Sequence, residues 1–106
     1  MRSAEAAAPV FAALADPTRL ALLERLADGV PRPIVALATG SALTRQAVTK
    51  HLGVLSGAGL VTRRRAGRET LYALRPERVA EARTWLDEVA EQWEDALGRL
   101  KAHVEA

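Results

Sequence analysis

Between Pro76 and Val104 the positions Val79, Ala82, Leu86, Val89, Trp93, Ala96, Leu100 and His103 follow one another at alternating steps of three and four. That spacing holds all of them on one stripe of an α-helix, and at 1.5 Å per residue the stripe runs for roughly 40 Å. A chain of 106 residues makes one small domain, too short to bury such a length against itself. A second subunit is the natural cover, most simply a second copy related by a two-fold axis. The stripe therefore predicts a homodimer with Val79, Leu86, Val89, Trp93 and Leu100 in its interface. Trp85 and Trp93, eight residues apart, offer an alternative use as walls of a ligand pocket.

Charge is spread unevenly along the chain, although it sums to only +2. From Ser41 to Arg75 seven bases (Arg45, Lys50, Arg63, Arg64, Arg65, Arg68, Arg75) face a single acid, Glu69. From Glu81 to Ala106 three bases face seven acids. Such a chain presents one basic surface to a polyanion and keeps its other end away, which makes nucleic acid the leading partner class.

Catalysis has little to work with. There is no cysteine, one tyrosine, two dispersed histidines (His51 and His103), and no carboxylate pair in a recognisable constellation. The lack of cysteine also excludes a disulfide scaffold and a thiolate metal site, and it fits a cytoplasmic protein. The longest apolar run, Ala6 to Ala15, is Ala-rich, interrupted by Pro9 and far short of the roughly 20 residues of a membrane span, so no membrane association is expected. Arg2 and the Ala13-Leu14-Ala15 triplet imitate a signal peptide, but Glu5 and Pro9 spoil its apolar centre. An amphipathic first helix is the expectation for that stretch.

Short elements follow. Asp16-Pro17 starts a helix in which Leu20, Leu23 and Leu26 recur at three-residue steps until Gly29 stops it. Pro31 and Pro33 punctuate the chain, Ile34 to Ala38 reads as a short apolar helix, and Thr39-Gly40-Ser41 as a turn. Thr44 can cap the next helix, Arg45 to about Ser56. At 100° per residue, Val48, Leu52 and Leu55 share a narrow arc while Gln46, Thr49, Lys50 and Gly53 gather opposite, with Arg45 and His51 flanking the apolar side. Gln pairs with adenine, Lys reaches guanine or phosphate, and a Thr methyl meets that of thymine in a major groove. A polar outer face is ordinary for a helix taken alone, but this one is the second member of a helix-turn-helix pattern. Beyond Gly57-Ala58-Gly59, Val61 to Arg65 and Glu69 to Leu74 form a hairpin whose tip, Ala66-Gly67, is surrounded by Arg63, Arg64, Arg65 and Arg68. Four guanidiniums on a projecting wing suit phosphates or a minor groove; the plainer reading is a charged edge strand that resists aggregation.

At this point Leu14-Ala15-Asp16-Pro17-Thr18-Arg19, Val48-Thr49-Lys50-His51-Leu52 with Leu55, Ala58-Gly59-Leu60-Val61, and Gly67-Arg68-Glu69 with Tyr72 carry a resemblance. From about Val10 to Leu74 the chain resembles the ArsR/SmtB-type winged-helix repressors. The resemblance implies that the helix from Arg45 is a recognition helix, that the hairpin is a wing, and that the first and last helices pair two subunits. It also implies operator DNA as the partner, with transcription repressed until an effector intervenes. Ala42 departs from the pattern, standing where many members carry the turn glycine. By position, Thr44 is similar to the family's cap residue near a phosphate, and Arg45, Gln46, Thr49 and Lys50 fall where its base and backbone contacts arise. His51 matches a histidine preceding the buried leucine, with two readings open: a phosphate donor, or a partly buried structural residue.

Many relatives by that resemblance sense metals, and the residues here argue against it. Pro33 and Val35 stand where the family's thiolates would be. Its other pattern, D-x-H with H-x-x-E, anchored on His103, would need Asp at Ala90, His at Gln92 and Glu at Ala106. One imidazole per chain, even doubled by two-fold symmetry, falls short of the four ligands of a structural zinc site; the alternative is a weak site completed by Glu105 or by a glutamate of a second copy. Neither metal nor cofactor is expected, and any effector is unassigned.

The expected fold is mainly α with a small β-hairpin: one winged helix-turn-helix domain over residues 1–106, with a core at 9–75 and a C-terminal dimerisation helix at 76–104. The expected function is sequence-specific DNA binding by a dimeric repressor at an inverted-repeat operator, without catalysis. The alternative is a winged-helix module that binds another protein.

Overall fold

A computed structural model describes residues 1–105. In chain order the elements are α1 (Ala4–Leu14), α2 (Pro17–Arg25), β1 (Arg32–Pro33), α3 (Ile34–Ala38), α4 (Arg45–Gly57), β2 (Val61–Ala66), β3 (Glu69–Leu74) and α5 (Pro76–Glu105). Local chemistry explains the helix starts. Ser3 accepts from the Ala6 amide at 3.2 Å, Asp16 from the Arg19 amide at 3.0 Å, and Thr44 from the Ala47 amide at 3.0 Å, each satisfying an amide that lacks an intrahelical partner. Pro17 occupies the first turn of α2, where its missing N–H is harmless. α1 runs through Pro9, giving up one backbone bond, and still buries Ala7, Val10 and Ala13.

The core lies where α1, α2, α3 and α4 meet the sheet, around Val10, Leu26, Leu37, Leu52, Leu55 and Leu60. In α2 the buried leucine is Leu22, with Leu26 just beyond the helix, whereas Leu20 is 46% exposed. A three-residue step advances 300° around a helix and drifts off one face; the four-residue step from Leu22 to Leu26 stays closer to it.

The sheet contains one strand more than the expected hairpin, in the order β1-β3-β2. β1 pairs Arg32 with Tyr72 and Pro33 with Leu71, so the punctuating prolines flank or occupy an edge strand, where a missing N–H is tolerated. β2 and β3 are antiparallel around Gly67, whose φ of 63° is costly for any residue with a Cβ.

α5 leaves this body behind. Its one buried residue is Ala82, and its first half is held by Trp85, whose ring lies 5.4 Å from that of Phe11 at 49°. The radius of gyration is 18.1 Å and the extents are 67 × 26 × 24 Å. A folded domain of this length ordinarily has a radius near 13 Å, so the excess measures how far the helix projects. Leu86, Val89, Trp93, Leu97, Leu100 and Val104 are exposed along it, with Trp93 at 64%. Trp85 is thus engaged by α1 while Trp93 stands free, and the two indoles do not share an environment within one chain. No helix among the described residues is by itself long and apolar enough to cross a membrane.

Candidate nucleic-acid interface

α4 presents its two faces as its sequence requires. Val48, Leu52 and Leu55 are buried, and Arg45, Gln46, Thr49, Lys50 and Gly53 are exposed on the other side. The Thr49 hydroxyl donates to the Arg45 carbonyl at 2.7 Å, which uses its one proton and leaves the methyl and the oxygen's acceptor side free. Among the described residues the side chains of Arg45, Gln46 and Lys50 make no hydrogen bond or ion pair within the chain. They are available to an outside partner. Thr44 is exposed as well, its hydroxyl already accepting the capping bond.

The turn before α4 accommodates Ala42 without strain. The left-handed conformation is taken by Gly40, with φ of 80°, and no residue other than glycine has a positive φ among those described. The Ser41 hydroxyl accepts from the Leu43 amide at 3.0 Å and leads the chain into the Thr44 cap.

His51 is turned toward α2. Arg19 donates to its Nδ1 at 3.2 Å, and an Asp16 carboxylate oxygen lies 3.8 Å from the same nitrogen. A guanidinium cannot accept, so Nδ1 is the acceptor here and a neutral ring carries its proton on Nε2. The structural reading thus gains a specific content, and Nε2–H is the atom through which a phosphate could still be met. Arg19 also donates to the carbonyls of Ala13 at 2.6 Å and Ala12 at 3.3 Å, closing the end of α1. The hydrogen bond from the Arg19 amide, chiefly, holds the Asp16 carboxyl below the usual carboxylate range; partial desolvation opposes it, and the Arg19 guanidinium adds to the lowering. One arginine therefore ties α1, α2 and α4 together.

Arg25 performs a similar task for α3. It donates to the carbonyls of Leu37 and Ala36, each at 2.6 Å, and of Thr39 at 3.3 Å. Both arginines escaped the sequence reading. Arg19 sits within the Asp16-Pro17-Thr18-Arg19 motif, whereas for Arg25 no local signal exists, because its acceptors lie more than ten residues away.

The wing places its arginines on two faces. In register, Arg63 pairs with Tyr72, Arg64 with Leu71 and Arg65 with Thr70. Tyr72 is buried, so Arg63 and Arg65 share the core-facing side of the sheet and Arg64 lies on the other. All three are exposed, as is Arg68 in the tip turn. Arg68 and Arg45 line one cleft of about 210 Å³, together with Ile34 and Thr70, so the structure brings the start of α4 and the wing tip together.

No group of three His, Asp or Glu residues capable of holding a metal occurs among the described residues. Pro33 lies in β1, Val35 is exposed on α3, and His103 is exposed in the last turn of α5. Ala106, one position of the D-x-H/H-x-x-E comparison, lies outside the described residues.

Comparison with known proteins agrees with this geometry. A family model described as a helix-turn-helix domain matches residues 14–64. The HTH-type transcriptional regulator Rv2034 of Mycobacterium tuberculosis is 48% identical over 75 residues, which are 71% of this chain and 69% of that protein. The HTH-type transcriptional repressor SmtB of the same species is 37% identical over 93 residues, 88% of this chain and 67% of that protein. Among solved structures, an ArsR-like transcriptional regulator from Rhodococcus sp. RHA1 superposes with a TM-score of 0.80 at 34% identity, covering 92% of this chain and 91% of that one. The homodimeric winged helix-turn-helix DNA-binding domain of Mb0332 from Mycobacterium bovis gives 0.66 at 33% identity, covering 83% and 81%.

Proposed function

This chain belongs to the ArsR/SmtB family of winged helix-turn-helix transcriptional regulators, and on that premise we propose that two copies bind an inverted-repeat operator and repress transcription by covering promoter elements. α4 enters the major groove, with Gln46, Thr49 and Lys50 toward base edges and Arg45 toward base or backbone. Thr44, His51 through Nε2, and the wing arginines Arg63, Arg64, Arg65 and Arg68 meet the phosphates. The observation that carries this reading is that the outward face of α4 and the wing present six cations, Arg45, Lys50, Arg63, Arg64, Arg65 and Arg68, all exposed and none engaged within the chain among the described residues. Two of them, Arg45 and Arg68, line one cleft between the start of α4 and the wing, beside Glu69.

The exposed stripe of α5 supports the two-copy arrangement, as does the homodimeric Mb0332 domain. The complex acts in the cytoplasm by binding alone, without a catalytic step. It does not respond to metal: the positions compared with the family's ligands carry Pro33, Val35, Ala90 and Gln92, none of which ligates as thiolate, imidazole or carboxylate does.

Selection of bound duplexes from a random DNA pool tests the proposal. The expected product is an inverted repeat whose half-site centres lie about one helical turn, or roughly 34 Å, apart. Recovery of no repeat, or of no DNA, would refute it.

A further inference from the structure

A cleft of about 510 Å³ separates α2 from the turn that leads into α4. One wall is a single face of α2, built from Thr18, Ala21, Leu22 and Arg25 at helical spacing, and the other is the turn at residues 39–43. The floor belongs to the core, since Leu22, Leu37 and Val48 are all buried. A concave apolar floor with a few polar groups at its rim, at this volume, is the ordinary form of a small-molecule site.

Arg25 is the one charged residue among those lining the cleft, and no acid lines it. Its Nη1 and Nη2 donate to the carbonyls of Ala36, Leu37 and Thr39, which hold the guanidinium in place without cancelling its charge. A guanidinium carries five N–H groups, and these bonds use three of them. Two donors, Nε–H among them, have no acceptor within the chain among the described residues. The Thr18 hydroxyl on the same wall is also without a partner there.

We propose that this cleft binds a small effector, an apolar carboxylate whose hydrocarbon part lies on Leu22, Leu37 and Val48 and whose carboxylate accepts from the two free N–H groups of Arg25. This deepens the regulator reading above and rests on it. An apolar cation would meet the guanidinium as a like charge, and a neutral apolar molecule would leave the free donors to water. Because three carbonyls already fix the guanidinium, a carboxylate binds it at little cost in side-chain order.

The place of the cleft couples it to the operator. Its second wall runs directly into the Thr44 cap, so a molecule wedged between α2 and the turn sets where α4 begins. The carboxylate also adds negative charge beside the end of α4 that is turned to phosphates. Occupancy should therefore oppose operator binding, and by linkage the operator should oppose occupancy by the same factor.

The test titrates 2-naphthoate and its uncharged counterpart 2-naphthamide into the full chain without DNA, followed by amide chemical shifts and calorimetry. The naphthoate should shift amides in residues 18–25 and 37–43 and bind about tenfold or more tightly than the naphthamide. Arg25→Met should bring the two affinities together. Ala21→Phe fills the cleft from an exposed position on α2, so it should abolish the shifts while leaving the unfolding midpoint unchanged. Saturating naphthoate should lower operator affinity about fivefold or more in the parent and leave it unaltered in Ala21→Phe. No shifts at millimolar naphthoate, shifts that map elsewhere, or equal affinity for acid and amide would overturn the site. Binding in the cleft with operator affinity unchanged would overturn its role as an effector site. Naphthoate binding in the cleft by a chain that binds no duplex would support the site and refute the regulator reading on which its role rests.

Discussion

Arg64→Gln and Gln46→Ala should both weaken operator binding, but in ways that one titration separates. Arg64 is exposed on β2, on the sheet face opposite Arg63 and Arg65, and has no ion pair within the chain among the described residues. Replacing it removes charge without leaving a partner unsatisfied, so its effect falls on the complex. A two-fold complex loses two phosphate contacts, and at about 0.9 per contact the slope of log affinity against log salt flattens by about 1.8. Over a roughly fourfold rise in salt the variant then loses about tenfold less affinity than the parent. The loss at low salt should be the same on operator and scrambled duplex. Gln46 carries no charge, so its removal should leave the slope alone and cost roughly 1–3 kcal/mol at one base pair of each half-site. Fluorescence anisotropy with operator and scrambled duplexes at several salt concentrations measures all of this. An unchanged slope for Arg64→Gln would refute its phosphate contact, and equal losses on both duplexes for Gln46→Ala would refute base reading by α4.

Zinc, nickel, cobalt and arsenite should leave operator affinity unchanged; stoichiometric release by any of them, abolished in His103→Ala, would make α5 a sensor. Arg25→Met removes three donations to the end of α3 and should lower stability by about 1–2 kcal/mol in denaturant unfolding, with a parental midpoint contradicting the cap. Asp16, Asp28 and Glu81 are all held below their ordinary carboxylate values, chiefly by hydrogen bonds from the Arg19 amide, the Arg32 guanidinium and the Arg78 guanidinium respectively. The unfolded chain therefore takes up these protons first, so their contribution is present above about pH 4–4.5 and is lost as pH falls toward the depressed native values. Thermal unfolding should show a midpoint that declines below about pH 4, less so in Asp28→Asn; a flat midpoint down to pH 2 would contradict this.

What could be read from the chain was whatever depends on neighbours within a turn or two. The faces of α4 followed from Val48, Leu52 and Leu55, because the period of a helix places them whatever the helix packs against. The same held for the α5 stripe, the caps Asp16 and Thr44, and the hairpin around Gly67, each of which draws on a residue and its immediate surroundings. Leu20, Leu23 and Leu26 signalled the helix, and Leu26 lies in the core with Leu23 packed against it, but Leu20 is exposed and Leu22 is buried instead, since periodicity reports that a face exists and not which neighbour it meets.

Other features depended on distant parts of the chain. β1 forms because Arg32 and Pro33 reach the free edge of β3 some forty residues later, a pairing no dipeptide announces. Arg19 and Arg25 look like ordinary helix-surface cations until the fold brings the ends of α1 and α3 to them. Gly40 relieves Ala42 of the need for a positive φ, which shows only once the turn is built. Trp85 and Trp93, eight residues apart, lie about 80° from each other around the helix, and α1 passes under one and not the other. The sequence by itself determined the elements and the sign of their surfaces, because hydrogen bonding, capping and amphipathicity act over a few residues. Only the tertiary structure decided which exposed groups are left without a partner, because burial is a property of what the rest of the chain covers.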